Sequence, residues 1–501
     1  MIARFCCARF PQSWREKVSK SEACEVPLAS QLWLPNRKIP RRRDTTDQFV
    51  CTPQTPSTDT TDRAGTATPS QTSGRLNVRL IHKHPTVTAI ALFLSILSGP
   101  PRFRIRDGGA SLRGEIDWVV ILHVVVWTLA GFWVLLQIWK SFYAKRPVLR
   151  LRLPSILGLV LIICLSASVW KSAAPALTAF KVYQMLVSLL FTQFFLDRFG
   201  VATSLKALFL GNTLLCVAIA ISAFLVPDIV WTASDFNPDP SRLFGELIAP
   251  TGVVSVLAII LLLTTVRKIW RVLPLSLLAL FLSLLALSLM RTAYVAAFVF
   301  FVLVLLKRPN IKPLRRFAYL FCALLLMSYA YDRVPSVSHY RSPETISTLS
   351  DRIGLWRYLG TVTLTRSPWL GLGYYSASRI YGPEYNPWLG TAHSMFFEVL
   401  LGAGVPSFMF LTTLCLILSI YAFRLIWVAK DRFSFAISTL FVASLLFGFM
   451  GDEIDSGPVA ISFWCSAAIL PRLYDRFVKP ALRPTQARNS VPMNSRALPQ
   501  S

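Results

Sequence analysis

Twelve apolar runs follow one another along this chain, and few patterns restrict a fold so severely. A helix needs about 20 mostly apolar residues to cross the roughly 30 Å hydrocarbon layer of a bilayer, where each backbone N–H and C=O must be satisfied within the segment. The runs are Pro85–Leu97, Ile116–Trp139, Leu153–Trp170, Ala174–Leu196, Ser204–Val226, Ala249–Val266, Val272–Met290, Thr292–Leu306, Phe317–Tyr331, one from Ser394 or later to Trp427, Phe433–Met450 and Pro458–Leu473. Only 15% of the residues are charged, against about 25% in soluble domains, so much of the surface faces something other than water. The expected fold is an all-α, polytopic membrane helix bundle of about twelve transmembrane helices. The first run is short and lies between Pro85 and Pro100; if it is re-entrant, eleven spans remain.

The formal charge of +27 would suggest nucleic acid in a soluble protein, but its distribution argues otherwise. Residues 1–86 hold 14 Lys and Arg against 7 acids, and Arg472–Ser501 holds six more. Loop cations gather on alternate connections, at Lys140–Arg152, Arg267–Arg271, Lys307–Arg316 and Arg424–Arg432, as the positive-inside rule requires. Acids mark the opposite side, at Pro227–Ile248 and at Asp452, Glu453 and Asp455; Arg102, Arg104, Arg106 and Arg113 are the exception. The partner of the basic tails is then anionic membrane lipid, with no nucleic acid implied. Residues 1–84 form a basic tail expected to be disordered; a shorter product would need a start codon other than Met, because the next Met is Met185. Residues 85–473 are the transmembrane domain and 474–501 a basic C-terminal tail, both termini on the cytoplasmic side of a bacterial inner membrane. The nine cysteines lie in apolar runs or in the N-terminal tail, so neither a disulfide framework nor a metal-ligand spacing emerges.

One external connection, residues 332–393 before the tenth span, is too long to be a simple link. It carries Trp356, Trp369, Trp388, Tyr358, Tyr374, Tyr375, Tyr381 and Tyr385, which suit a structured cap at the membrane surface. Trp356, Trp369, Tyr374, Tyr375 and Trp388 are candidate sugar-stacking residues, although an interfacial aromatic belt would use the same side chains. Against the positive-inside trend, this side also holds Arg242, Arg291, Arg352 and Arg357. Singly each is an ordinary interfacial arginine; together their guanidinium forks suit a diphosphate held at the membrane surface. His393 stands where the long connection re-enters the membrane, and a neutral imidazole there could take the proton of an attacking sugar hydroxyl. Ser394, Glu398 and Arg357 are candidate supporting residues. Lys181 and Lys206, inside apolar runs, are either functional intramembrane cations or snorkelling ones.

These residues resemble the O-antigen ligase and polysaccharide polymerase superfamily. Its hallmark, His then Asn, Ser or Gln, nine residues, and Gly-x-x-Gly, is similar to His393-Ser394, Met395–Ala403 and Gly404-Val405-Pro406-Ser407, with Ser407 in place of the last Gly. Arg352 to Trp356 resembles its Arg-x-x-x-Trp element, and Pro368 to Gly373 its Pro-x-x-Gly-x-Gly. Met290-Arg291 is similar to its Ser-Arg turn and Arg242–Gly245 to its Arg-x-x-Gly, after which Pro250-Thr251 replaces the usual Pro-Asn. The resemblance implies a metal-independent, cofactor-free, inverting glycosyltransferase on the periplasmic face. Its donor would be a polyprenyl-diphosphate-linked glycan, with His393 as base and Arg242, Arg291 and Arg352 on the diphosphate. A polymerase, the more varied type among bacteria, would extend an acceptor glycan; a ligase would transfer to lipid A-core. Both act among other polysaccharide-export proteins. A lipid-linked oligosaccharide flippase would also use a cation-lined path, and Lys181 and Lys206 are the residues that favour it.

Overall fold

The computed structural model describes residues 115, 117–144, 151–232, 242–243, 249–266, 271–307, 351–386, 390–451 and 454–479, all within one compact unit, Ser73–Ser501. The runs Pro85–Leu97 and Phe317–Tyr331 lie outside the described residues, and with the first goes the choice between twelve and eleven spans. The tail 1–84 and residues 480–501 also lie outside them.

Helix α1, Trp118–Tyr143, starts where the Asp117 carboxylate accepts the Val120 N–H at 2.9 Å. Helix α2, Leu153–Ala167, has Pro154 in its first turn and tightens into a 3-10 turn, Ser168–Lys171. Helix α3, Pro175–Leu225, is about 77 Å long at about 1.5 Å per residue, more than twice a bilayer core. Gly200, at φ 76°, divides it into two legs that match two separate apolar runs. Two short strands follow, β1 (Trp231–Thr232) and β2 (Arg242–Leu243), antiparallel, with Trp231 opposite Leu243 and Thr232 opposite Arg242. Then come α4 (Thr251–Thr265), α5 (Val272–Ser288) and α6 (Arg291–Lys307). The long connection contains α7 (Arg352–Arg366) and α8 (Ser378–Tyr385). The chain closes with α9 (Met395–Val428), α10 (Arg432–Phe449) and α11 (Gly457–Phe477).

Five helices among the described residues are long and apolar enough to cross a membrane: α1, α2 with its 3-10 extension, α3, α9 and α10. Helices α4 and α11 are buried almost along their whole lengths and form the centre of the bundle. Exposed side chains on the outer helices are themselves apolar, Leu135 and Trp139 on α1 and Met409, Leu416 and Phe423 on α9 among them. That exterior suits lipid and would be anomalous in water.

The two ends of the bundle differ in charge chemistry. At one end Arg152 donates to the Pro471 carbonyl at 2.8 Å and pairs with Asp475, Arg472 pairs with Asp197 at 2.6 Å, and Arg424 donates to the Tyr474 hydroxyl at 3.2 Å. Lys307, the last residue of α6, donates to the carbonyls of Ile426 and Ala429 at the end of α9, so these two helices run parallel. These are residues that the alternation of loop charge placed on one side. The starts of α6, α9 and α11 and the end of α10 therefore share the opposite end.

At that opposite end α9 breaks, and the long connection fills the break. Ala403 and Gly404 leave helical geometry, Gly404 at φ 77°. Pro406 has no N–H, so the Gly402 carbonyl loses its helical donor; the Gly373 N–H takes its place at 2.9 Å. The Leu401 carbonyl accepts from Leu372 at 2.9 Å, and the Val405 N–H turns to the Pro368 carbonyl at 2.8 Å. Each freed backbone group thus finds a partner where water is absent. The approach is too close for side chains: a Cβ on Gly371 would lie 2.3 Å from the Ala403 nitrogen, and one on Gly404 2.5 Å from the Pro368 oxygen. The Pro-x-x-Gly-x-Gly and Gly-x-x-Gly elements are two halves of one crossing. Ser407, the departure from the second, is fully buried and its hydroxyl donates to the Ala403 carbonyl at 3.1 Å.

Candidate active site

Helix α7 fixes the approach to His393. Arg352 and Trp356 are four residues apart and so share one face. Arg352 Nη1 donates to the Met450 carbonyl at the end of α10, at 2.7 Å. The Trp356 indole N–H donates to the Ala392 carbonyl at 2.9 Å, and its ring stacks on Phe397 of α9 with centroids 5.1 Å apart and planes 6° apart. The next residue, His393, has φ 51°, in the left-handed region. Such a backbone costs about 1–2 kcal/mol in a residue with a Cβ and persists only where its surroundings hold it. Here the holders are Trp356 on one side and α9 on the other, where Ser394 is the N-cap and its carbonyl accepts the Glu398 N–H at 2.8 Å.

Arg291 comes to the same end of the bundle by a different route. The α5–α6 connection is only two residues long, with Leu289 at φ 47° and the Ser288 hydroxyl accepting the Met290 N–H at 3.3 Å. Arg291 is thereby the first residue of α6. Its Nη2 is buried and has no hydrogen-bond partner among the described residues. A buried guanidinium nitrogen without an acceptor is costly, and such atoms mark places where an anion would be welcome. For Arg242 the structure gives the backbone of β2 and not the side chain.

The aromatic candidates divide. Trp369 is 73% exposed. Trp356 and Tyr374 face inward: Trp356 is 9% exposed and stacked on Phe397, and Tyr374 is fully buried with its backbone N–H on the Ser168 hydroxyl. Apolar bulk next to the re-entering α9 draws both rings inward, where they position backbone. Tyr375, at φ 67°, has Lys181 Nζ 4.1 Å and the Arg379 guanidinium 4.2 Å from its ring centroid, so its ring is already engaged by cations. Trp388 lies outside the described residues. Of the supporting candidates, Arg357 is exposed on the outer side of α7, Ser394 is fully buried with no hydrogen-bond partner for its hydroxyl among the described residues, and Glu398 is buried and accepts from the Ser378 hydroxyl at 2.9 Å.

The cluster that residue order could not reveal is centred on Lys181. Its ammonium lies 2.5 Å from the fully buried carboxylate of Asp455, and the Ser188 hydroxyl donates to the Asp455 carbonyl at 3.2 Å. Lys181 is therefore an internally paired cation rather than a snorkelling one. The pair ties α3 to the 454–456 turn and, through Tyr375, to the segment that crosses α9. The sequence marked Lys181 as a cation inside an apolar run and 452–455 as an acidic connection, without linking the two.

His393 just before α9, the Arg291 nitrogen without a partner among the described residues and the N-termini of α6 and α9 lie at one end of the bundle, an end whose positive potential suits an anionic group. Among the described residues no group of three His, Cys, Asp or Glu is placed to hold a metal ion.

Residues 276–412, from α5 into α9, match the family model described as O-antigen ligase. The match covers the Arg291 turn, α7, the crossing and His393, and it supports the resemblance to the O-antigen ligase and polymerase superfamily. It points to cell-surface glycan assembly by a membrane-embedded, glycosyltransferase-like enzyme. No curated protein matches the chain.

Proposed function

We propose, from the O-antigen ligase domain that the chain carries, that it transfers a glycan from a polyprenyl-diphosphate carrier to an acceptor sugar hydroxyl on the periplasmic side of a bacterial inner membrane. The acceptor oxygen forms the new glycosidic bond with inversion while the anomeric carbon–oxygen bond to the diphosphate breaks. His393 takes the hydroxyl proton, and the diphosphate leaves with its charge on Arg291, Arg352 and Arg242. The observation that carries this reading is the buried Nη2 of Arg291, without a hydrogen-bond partner among the described residues, at the end of the bundle that also holds the clamped His393. Of Lys181 and Lys206, the residues that favoured a flippase, Lys181 is paired with Asp455.

The test is reconstitution of the full chain in liposomes with a lipid-diphosphate-linked repeat unit. Product is expected without nucleotide and in the presence of a metal chelator. His393→Ala should fold and lose product; unchanged turnover would remove His393 from the mechanism. Elongation without lipid A-core marks a polymerase, and product only with it marks a ligase. Movement of lipid-linked sugar without a new glycosidic bond would replace the whole reading with transport.

A further inference from the structure

Helix α7 lies across the rim of the bundle rather than projecting from it. Its first residue, Arg352, is bonded to the Met450 carbonyl at the end of α10, beside the exposed Phe449. Just beyond its last turn, the Pro368 carbonyl accepts the Val405 N–H of α9. Its inner face is buried through Leu355, Trp356, Leu359 and Val362. Its outer face carries Ile353, Arg357 and Leu364, which a helical period brings into line, with Ile353 51% and Leu364 59% exposed.

The level of this face relative to a bilayer can be measured along α9. Trp369, 73% exposed, sits against Gly404 at the break. The lipid-type stripe of α9 begins one turn further on at Met409 and ends at Trp427, 50% exposed. From Val405 to Trp427 the rise is about 33 Å at about 1.5 Å per residue, matching a hydrocarbon core of about 30 Å with an aromatic ring at each boundary. Helix α7 ends three residues before the exposed Trp369, so its C-terminal end lies at that boundary. Charge points to the partner: between Asp351 and Glu384 there are four arginines and no acid, and of these Arg357 stands exposed on the outer face while Arg352, Arg366 and Arg379 engage Met450, Tyr381 and Tyr375.

We propose that the outer face of α7, extended by Trp369 and Leu370, is a membrane-docking surface whose partner is the anionic phospholipid headgroup layer of the surrounding bilayer. Ile353, Leu364, Trp369 and Leu370 enter the acyl boundary while Arg357 takes a lipid phosphate. This placement stands independently of the reaction assigned to the site.

The test uses the full chain with its native cysteines replaced and a nitroxide at Ile353→Cys, Leu364→Cys or, as a water-facing control, Glu384→Cys. The variants are reconstituted in phosphatidylcholine vesicles with or without phosphatidylglycerol. Labels at 353 and 364 should be accessible to oxygen and protected from a water-soluble nickel chelate; the label at 384 should show the reverse. Adding Arg357→Gln should lower the lipid-facing population at 364 by about fivefold in phosphatidylglycerol vesicles, the equivalent of about 1 kcal/mol per arginine near an anionic surface, and by less in phosphatidylcholine alone. Labels at 353 and 364 as open to the chelate as the control would overturn the proposal. So would labels closed to both reagents, which would mean a protein cover.

Discussion

Replacing Trp356 by Phe tests how His393 is held. The substitution leaves an aromatic ring to face Phe397, where the centroids are 5.1 Å apart, and removes the indole N–H that reaches the Ala392 carbonyl at 2.9 Å together with the second ring of the indole. Ala392 is fully buried, so its carbonyl loses its donor in a place water does not reach, at a cost of about 1–3 kcal/mol. The left-handed backbone of His393 costs about 1–2 kcal/mol, a comparable amount, so the freed Ala392–His393 segment can relax instead of staying clamped. If that displacement appears in the chemical step, turnover in the reconstituted transfer assay falls roughly 5- to 150-fold. The KM for the lipid-linked donor should stay within about twofold, and the thermal unfolding midpoint should drop by a few degrees. Phe397→Leu, which removes the stack and keeps the N–H bond, should lower stability more than turnover. Wild-type turnover in Trp356→Phe would refute the clamp. A raised KM with unchanged kcat would return Trp356 to the role of a sugar-binding ring.

Other expectations follow from the same geometry. Arg291→Gln removes a buried guanidinium nitrogen that has no acceptor among the described residues, so it should raise the donor KM or abolish transfer while thermal unfolding is unchanged or slightly improved. Lys181→Met leaves the buried Asp455 carboxylate unpaired and should cost about 3–5 kcal/mol, seen as a lower unfolding midpoint; adding Asp455→Asn should recover most of the loss. Gly371→Ala places a Cβ 2.3 Å from backbone and should prevent recovery of monodisperse protein from detergent, whereas Gly390→Ala, with no atom within 4 Å, should not. Gly360→Ala, in α7 and equally unobstructed, should stabilise by about 0.8–1 kcal/mol and raise the unfolding midpoint by a few degrees.

The apolar runs were legible because a bilayer imposes one length and one chemistry on any helix that crosses it. Gly200 divides α3 between two runs that residue order had already separated, and Arg152, Lys307 and Arg424 meet at the end to which loop charge assigned them. The family resemblance paired Arg352 with Trp356, and the place where the long connection re-enters the membrane marked His393. What those residues touch was not legible. Whether an aromatic ring faces a sugar or another ring depends on what folds over it, and only packing showed Trp356 on Phe397 and Tyr374 inside the bundle. The partner of Lys181 is 274 residues away, a separation across which no periodicity carries information. By itself, then, the sequence showed where the apolar runs lie, on which connections charge gathers and which polar residues stand out. The tertiary structure decided which of those residues are clamps, which are paired and which, like Arg291, keep a nitrogen without a partner among the described residues. The division has a physical cause: the solvent acts on each segment separately, whereas hydrogen bonding and close packing depend on two segments meeting.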